Sequence, residues 1–97
     1  MATYVILSKF TDQGIRNIKN TSQRASQVAE MAKSFGCEMT SIYWTLGEYD
    51  LVATVTAPDD QSLCAFGLAI GAAGNVHTQT LRAFTKDELG AILAKLP

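Results

Sequence analysis

The chain has 97 residues, 47% of them apolar and only 18% charged, with a formal net charge of −1. That length makes one domain with one modest core. So low and balanced a charge excludes the basic footprint of nonspecific nucleic-acid binding, and it falls short of the roughly 25% charged residues usual in soluble domains.

Residues 3–10 are rich in β-branched and aromatic side chains and are predicted to form the first strand. Val5 and Leu7 fall on one parity, and Tyr4, Ile6 and Phe10 on the other, so both faces of this strand need cover. Thr11 or Asp12 caps a short helical turn carrying Ile15 and Ile18. Asn20-Thr21-Ser22 then caps a helix over about 22–35, with Ala25, Val28, Ala29, Ala32 and Phe35 at the spacing of one helix face. Gly36 stands where a left-handed residue would stop it.

Strands are predicted over about 37–46 and 49–57, joined at Gly47-Glu48. Glycine at the first central position supplies the positive φ of a two-residue type II′ loop. That loop pairs Leu46 with Tyr49, Trp44 with Leu51 and Ile42 with Ala53 on one plain core face. The other face then mixes Met39, Ser41, Tyr43, Thr45, Asp50, Val52 and Thr54. Pro58-Asp59-Asp60 opens a second helix to about residue 73, because proline suits the first turn and the aspartates suit its positive end. No charged residue occurs between Asp60 and Arg82, so this helix is expected to bury more than one side, most simply against another subunit. Gly67, Gly71 and Gly74 would permit close approach there. The apolar run over 63–73 is too short to span a bilayer, and no secretory leader is read at the start of the chain. Cys37 and Cys64 lie far apart without a CxxC, and read as reduced, buried thiols of a cytoplasmic protein.

Residues 76–84 form the last predicted strand. Thr85 and Glu88 then make a capping box for a terminal helix striped with Leu89, Ile92, Leu93 and Leu96. The order is β-α-β-β-α-β plus a C-terminal helix: an α+β, ferredoxin-like fold with a four-stranded antiparallel sheet and two helices on one face. The other face is too apolar to be left in water. Sheet-to-sheet packing of two copies into a dimeric α/β barrel is expected.

Three stretches carry a resemblance: Thr45-Leu46-Gly47-Glu48-Tyr49-Asp50, Ala57-Pro58-Asp59-Asp60, and Gly74-Asn75-Val76-x-Thr78-x-Thr80-Leu81-Arg82-Ala83. In these the chain resembles the GYD domain family over nearly its whole length. The resemblance implies a small ferredoxin-like protein related to the dimeric α/β barrel group. That wider group includes cofactor-independent monooxygenases, isomerases and ligand-sensing domains, and fold alone does not choose among them.

Five polar positions are candidates for chemistry. Asp50, just after the turn, could line a pocket as acid, base or ligand contact; its structural alternative is to bind Thr45 or loop backbone N–H groups. His77 is the sole histidine and could act as a general acid or base, or could be a sheet or subunit contact. Tyr43, with Tyr49 and Trp44, could stack on a flat apolar ligand or simply pack. Arg24 lies in the first turn of its helix, where the dipole disfavours a cation. With Arg16 and Lys19 it could hold an anionic ligand, or it could pair with Asp12 or another carboxylate, or simply be solvated. Arg82 could bind a carboxylate in a cleft or pair across an interface. One histidine and two distant cysteines have no recognised metal-ligand spacing, and no cofactor fingerprint is present. The expectation is a homo-oligomer without a cofactor that binds or senses a small, partly apolar ligand. The alternatives are a cofactor-independent oxygenase or isomerase using His77, Asp50 or Tyr43, and a purely structural assembly protein.

Overall fold

Alternation along residues 51–57 sets the architecture. Leu51, Ala53, Val55 and Ala57 are buried in turn, while Val52, Thr54 and Thr56 between them are only half-buried. A strand with that period has one face on a core and one face left over. The computed structural model describes residues 1–97. Its elements are β1 (Ala2–Phe10), α1 (Asp12–Arg16), a 3₁₀ turn (Ile18–Asn20), α2 (Thr21–Ser34), β2 (Glu38–Trp44), β3 (Leu51–Ala57), α3 (Asp60–Ala72), β4 (Val76–Ala83) and α4 (Lys86–Leu93). The sheet order is β2-β3-β1-β4, antiparallel throughout. This is the four-stranded ferredoxin-like arrangement expected from the element order.

Tyr4 and Ile6 from β1, Val55 and Ala57 from β3, Ala32 from α2, and Leu63, Phe66 and Ile70 from α3 form one buried cluster. Both long helices therefore cover the same face of the sheet. Phe66 is fully buried and meets Phe35 at 6.1 Å between ring centroids, tilted by 41°. Tyr4 donates its hydroxyl hydrogen bond to Asp60 at the start of α3. That bond, with burial and the Asp60 charge, raises the Tyr4 pKa above its ordinary value. Gly36 ends the α2 region with φ of +73°, as its position required.

The other face of the sheet carries Thr3, Val5, Leu7 and Lys9 from β1, beside Val52 and Thr54 on one flank and Leu81, Gln79 and His77 on the other. None of these residues is buried. The molecule measures 51 × 31 × 17 Å, and its radius of gyration is 14.6 Å. A compact chain of this length would have a radius of gyration of about 12.5 Å. The thin axis is that of one sheet under one layer of helices.

Three local expectations are corrected. The ladder between β2 and β3 ends at Trp44–Leu51, so the connection is wider than two residues and Leu46 does not pair with Tyr49. Gly47 still takes a positive φ of +102°, and the Thr45 N–H still donates to the Asp50 carbonyl at 2.8 Å. Leu46 is fully exposed, and Tyr49 turns to the open face, where its hydroxyl donates to Gln79 at 2.8 Å. Secondly, Thr40 is an extra residue between the pairs Met39–Val55 and Ser41–Thr54. Such a bulge reverses facing on one side of it, so Met39 leaves the open face and packs on the core. Thirdly, Cys37 is buried but Cys64 is exposed on α3. Burial raises the Cys37 thiol pKa.

The terminal helix has the expected capping box: the Glu88 N–H donates to Thr85 Oγ1 at 3.1 Å, and the Thr85 N–H to Glu88 Oε1 at 2.9 Å. The Thr85 N–H, with Arg82 adding a smaller share, holds the Glu88 carboxyl below the usual carboxylate range. A depressed folded pKa contributes stability above the unfolded value, about 4.3 for Glu, that is lost as pH falls through the folded value. Helicity of α4 is therefore expected to hold at pH 6 and to drop below pH ~4. Glu88→Gln, read by far-UV circular dichroism, should remove that acid step.

Candidate functional site

The Thr40 bulge does more than turn Met39. It brings a flexible thioether under α2, opposite Met31 of that helix and beside Ile42. The α2 face made by Ala25 and Val28 does not close fully on Ile6, Leu51 and Ala53 of the sheet. An apolar cavity of about 100 Å³ remains between them, lined also by Ile70 and Val76. Its polar lining is limited to Ser8, Thr21, Arg24 and Asn75. Thr21 in turn accepts the Trp44 indole N–H at 3.0 Å, tying the edge strand to the start of α2.

Arg24 is held there by backbone. Its guanidinium donates to the Asn17 carbonyl at 2.6 Å and to the Gly14 carbonyl at 3.2 Å. Gly14 is glycine because Asn75 passes against it: a Cβ would lie 2.0 Å from the Asn75 carbonyl oxygen. Thr11 fixes the same junction. Its N–H donates to the Asn75 carbonyl at 3.0 Å, its hydroxyl donates to the Gly74 carbonyl at 2.6 Å, and Oγ1 accepts from the Gly14 N–H. The α1 turn, the start of α2 and the α3–β4 turn thus meet at the mouth of the cavity. No acidic side chain pairs with Arg24; the ion pairs are Lys9–Glu48, Lys33–Glu30 and Arg82–Glu88.

The other candidates lie elsewhere. Asp50 bridges β3 to β1: its carboxylate accepts from the Phe10 N–H at 2.9 Å, and its own N–H donates to the Ser8 carbonyl at 2.8 Å. Tyr43 is 64% exposed on the open face, and His77 is exposed on that face opposite Lys9. Arg82 stacks over Phe84 at 4.5 Å, donates to the Thr3 carbonyl at 3.2 Å and pairs with Glu88. The structure brings none of these four to the cavity that Arg24 lines. No three His, Cys, Asp or Glu side chains come together as a metal set. Reasoning from sequence missed Asn75 and Met39 as lining residues. Asn75 sits within the recognised Gly74-Asn75-Val76 stretch, which was a usable signal. Met39 had none, because the bulge leaves no mark in residue type.

The Asp50 geometry gives a direct expectation. Asp50→Ala orphans the Phe10 N–H and should cost about 1–3 kcal/mol in urea denaturation. Asp50→Asn keeps an acceptor and should cost less than Asp50→Ala.

The fold and the cavity define a small α+β protein with one helix-covered, four-stranded antiparallel sheet. The chain belongs to the GYD domain family, whose model matches residues 4–93. It is 33% identical over 94 residues to the glutamine synthetase and cystathionine beta-lyase binding protein of Thermus thermophilus, covering 96% of this chain and 99% of that one. Among solved structures it is similar to FFRP-DM1, with a TM-score of 0.64 and 22% identity over 87% of this chain and all of that one. It is also similar to TTHA0845 from Thermus thermophilus, with a TM-score of 0.58 and 25% identity over 88% and 95% of the two chains. A hypothetical protein from Pyrococcus horikoshii, PHS023, gives 0.57 and 23% over 89% and 93%. No helix is long and apolar enough to cross a membrane.

Proposed function

We propose that this protein is a cytoplasmic, homo-oligomeric binding module that senses a small, partly apolar ligand in the cavity between α2 and the sheet. The observation that carries the reading is that cavity: apolar walls with a few polar groups are the usual lining of a small-molecule site. The test is a thermal-shift screen of metabolites on the purified oligomer. A ligand selective for the native state raises its melting temperature by mass action. If no compound does so, the reading fails.

Two copies are proposed to pair through their open sheet faces, as in a dimeric α/β barrel. Val5 supports this. It lies on the inner strand β1 between Thr54 and Leu81, at the middle of the uncovered face. Sheets pack face to face about 10 Å apart, so a buried carboxylate there would have no partner. Val5→Glu is expected to convert the dimer to monomers by light scattering.

The name of the Thermus thermophilus relative favours a second reading, in which the module binds an enzyme. Titration with purified glutamine synthetase and cystathionine beta-lyase tests it. Saturable binding at micromolar or lower concentration supports it, and no binding to either enzyme removes it.

A further inference from the structure

The apolar cavity adjoins a second depression of about 310 Å³ whose lining is wholly polar: Asn17, Asn20, Gln23, Gln27, Arg24 and Asn75. Arg24 and Asn75 belong to both. We propose that the two form one bipartite site for a small monocarboxylate with a short branched aliphatic tail. The tail sits between α2 and the sheet, and the carboxylate lies on Arg24 among the amides. This rests on the reading of the cavity as a ligand site and names the class of ligand.

A guanidinium has five N–H donors and stays protonated at any ordinary pH. Arg24 gives two of its donors to the carbonyls of Asn17 and Gly14. Those bonds aim the group but bring no countercharge, and none of the chain's ion pairs involves it. The side chain is half-buried in the first helical turn, where the helix dipole opposes a cation. A carboxylate relieves both terms and matches the guanidinium fork. The amides around it are neutral and supply N–H donors for the remaining carboxylate lone pairs. With one cation and no second base in the lining, the site matches a single negative charge. A phosphate monoester, carrying about −1.5 to −2 at neutral pH, would be left partly uncompensated.

The size of the cavity sets the tail. A cavity of about 150 Å³ holds a benzene molecule, so the roughly 100 Å³ here suits a branched chain of about four or five carbons. Its walls are aliphatic and thioether groups with no aromatic ring but Phe10. Met31 and Met39 are unbranched and adaptable, so the wall can fit itself to a branched chain.

The test uses two isosteric probes, 4-methylpentanoate and 4-methylpentan-1-ol, titrated calorimetrically into the wild-type protein and into Arg24→Gln. The acid is expected to bind wild type about tenfold more tightly than the alcohol. Arg24→Gln should lose that preference, so that acid and alcohol bind the variant alike. If R24Q does not fold, the acid–alcohol contrast in wild type decides alone. Equal binding of acid and alcohol to wild type overturns the carboxylate assignment and leaves the cavity reading standing. Failure of both probes to bind overturns the cavity reading and the assignment together.

Discussion

Replacing Phe66 with alanine is expected to cost about 3–5 kcal/mol, the range for removing a buried phenylalanine ring. A chain of this size has roughly 5–15 kcal/mol of stability in all, so the variant should be at the edge of folding at 37 °C. The ring is fully buried and is the largest such side chain. It joins α3 to Phe35 at the end of α2 and to the Val55–Ala57 stretch of the sheet. Small neighbours such as Ala32 and Ala57 cannot move in to fill the space it would leave. Urea denaturation should show a lower midpoint with an unchanged slope. A loss below about 1 kcal/mol would mean that α3 is not docked on the sheet as described.

The second large effect is at Gly14. Alanine is usually neutral or favourable in place of glycine inside a helix, by about 0.5–1 kcal/mol. At Gly14 the added Cβ would sit 2.0 Å from the carbonyl oxygen and 3.0 Å from the carbonyl carbon of Asn75. Both obstacles are backbone, so a whole turn must move. That shift would break the Thr11–Asn75 bond and misplace the Gly14 carbonyl that holds Arg24. Overpacking of this kind costs about 1–3 kcal/mol and sometimes more. Gly90 in α4 is the control, because a Cβ there meets nothing within 4 Å. Gly90→Ala should stabilise or leave unchanged, while Gly14→Ala destabilises and weakens any ligand held by Arg24. Melting curves of the two variants side by side make the comparison. Equal behaviour would mean that the α1 turn does not abut the α3–β4 turn.

Much of the fold was legible because alternation and capping are local signals. The pairs Trp44–Leu51 and Ile42–Ala53 follow from period-2 spacing around the turn. The Thr85–Glu88 box and the left-handed Gly36 follow from residue type at a helix end. What failed depended on neighbours distant in sequence. The bulge at Thr40 is held by hydroxyl contacts to Thr54, 14 residues away, and nothing in residues 38–44 announces it. Cys64 looked like core on composition, but its place on the helix turns it outward. Of the stripe expected for the terminal helix, Leu89, Ile92 and Leu93 fall in α4 but none joins the buried cluster, and Leu96 lies beyond the helix.

The site divides in the same way. Arg24 was visible as an electrostatic anomaly, a cation in a first helical turn, and the structure places it at a cavity mouth. Of the alternatives open for it, an ion pair with Asp12 or another carboxylate does not form; two backbone carbonyls hold it. His77, Tyr43 and Arg82 were singled out for their chemistry alone. Strand parity puts His77 and Tyr43 on the open face and Arg82 on the helix-facing side beside Tyr4. The cavity itself could not be read, since its wall draws on α2, α3 and all four strands.

Cover for the open face of the sheet is what the proposed pairing of two copies supplies. Val5, Leu7, Val52 and Leu81 share a surface without a second layer, and Leu68 is 70% exposed on α3, which carries no charge after Asp60. Sedimentation equilibrium of the purified protein at micromolar concentration tests this most directly. The prediction is a species of at least twice the 10.4 kDa chain mass. A folded, soluble species sedimenting at the mass of one chain would contradict it.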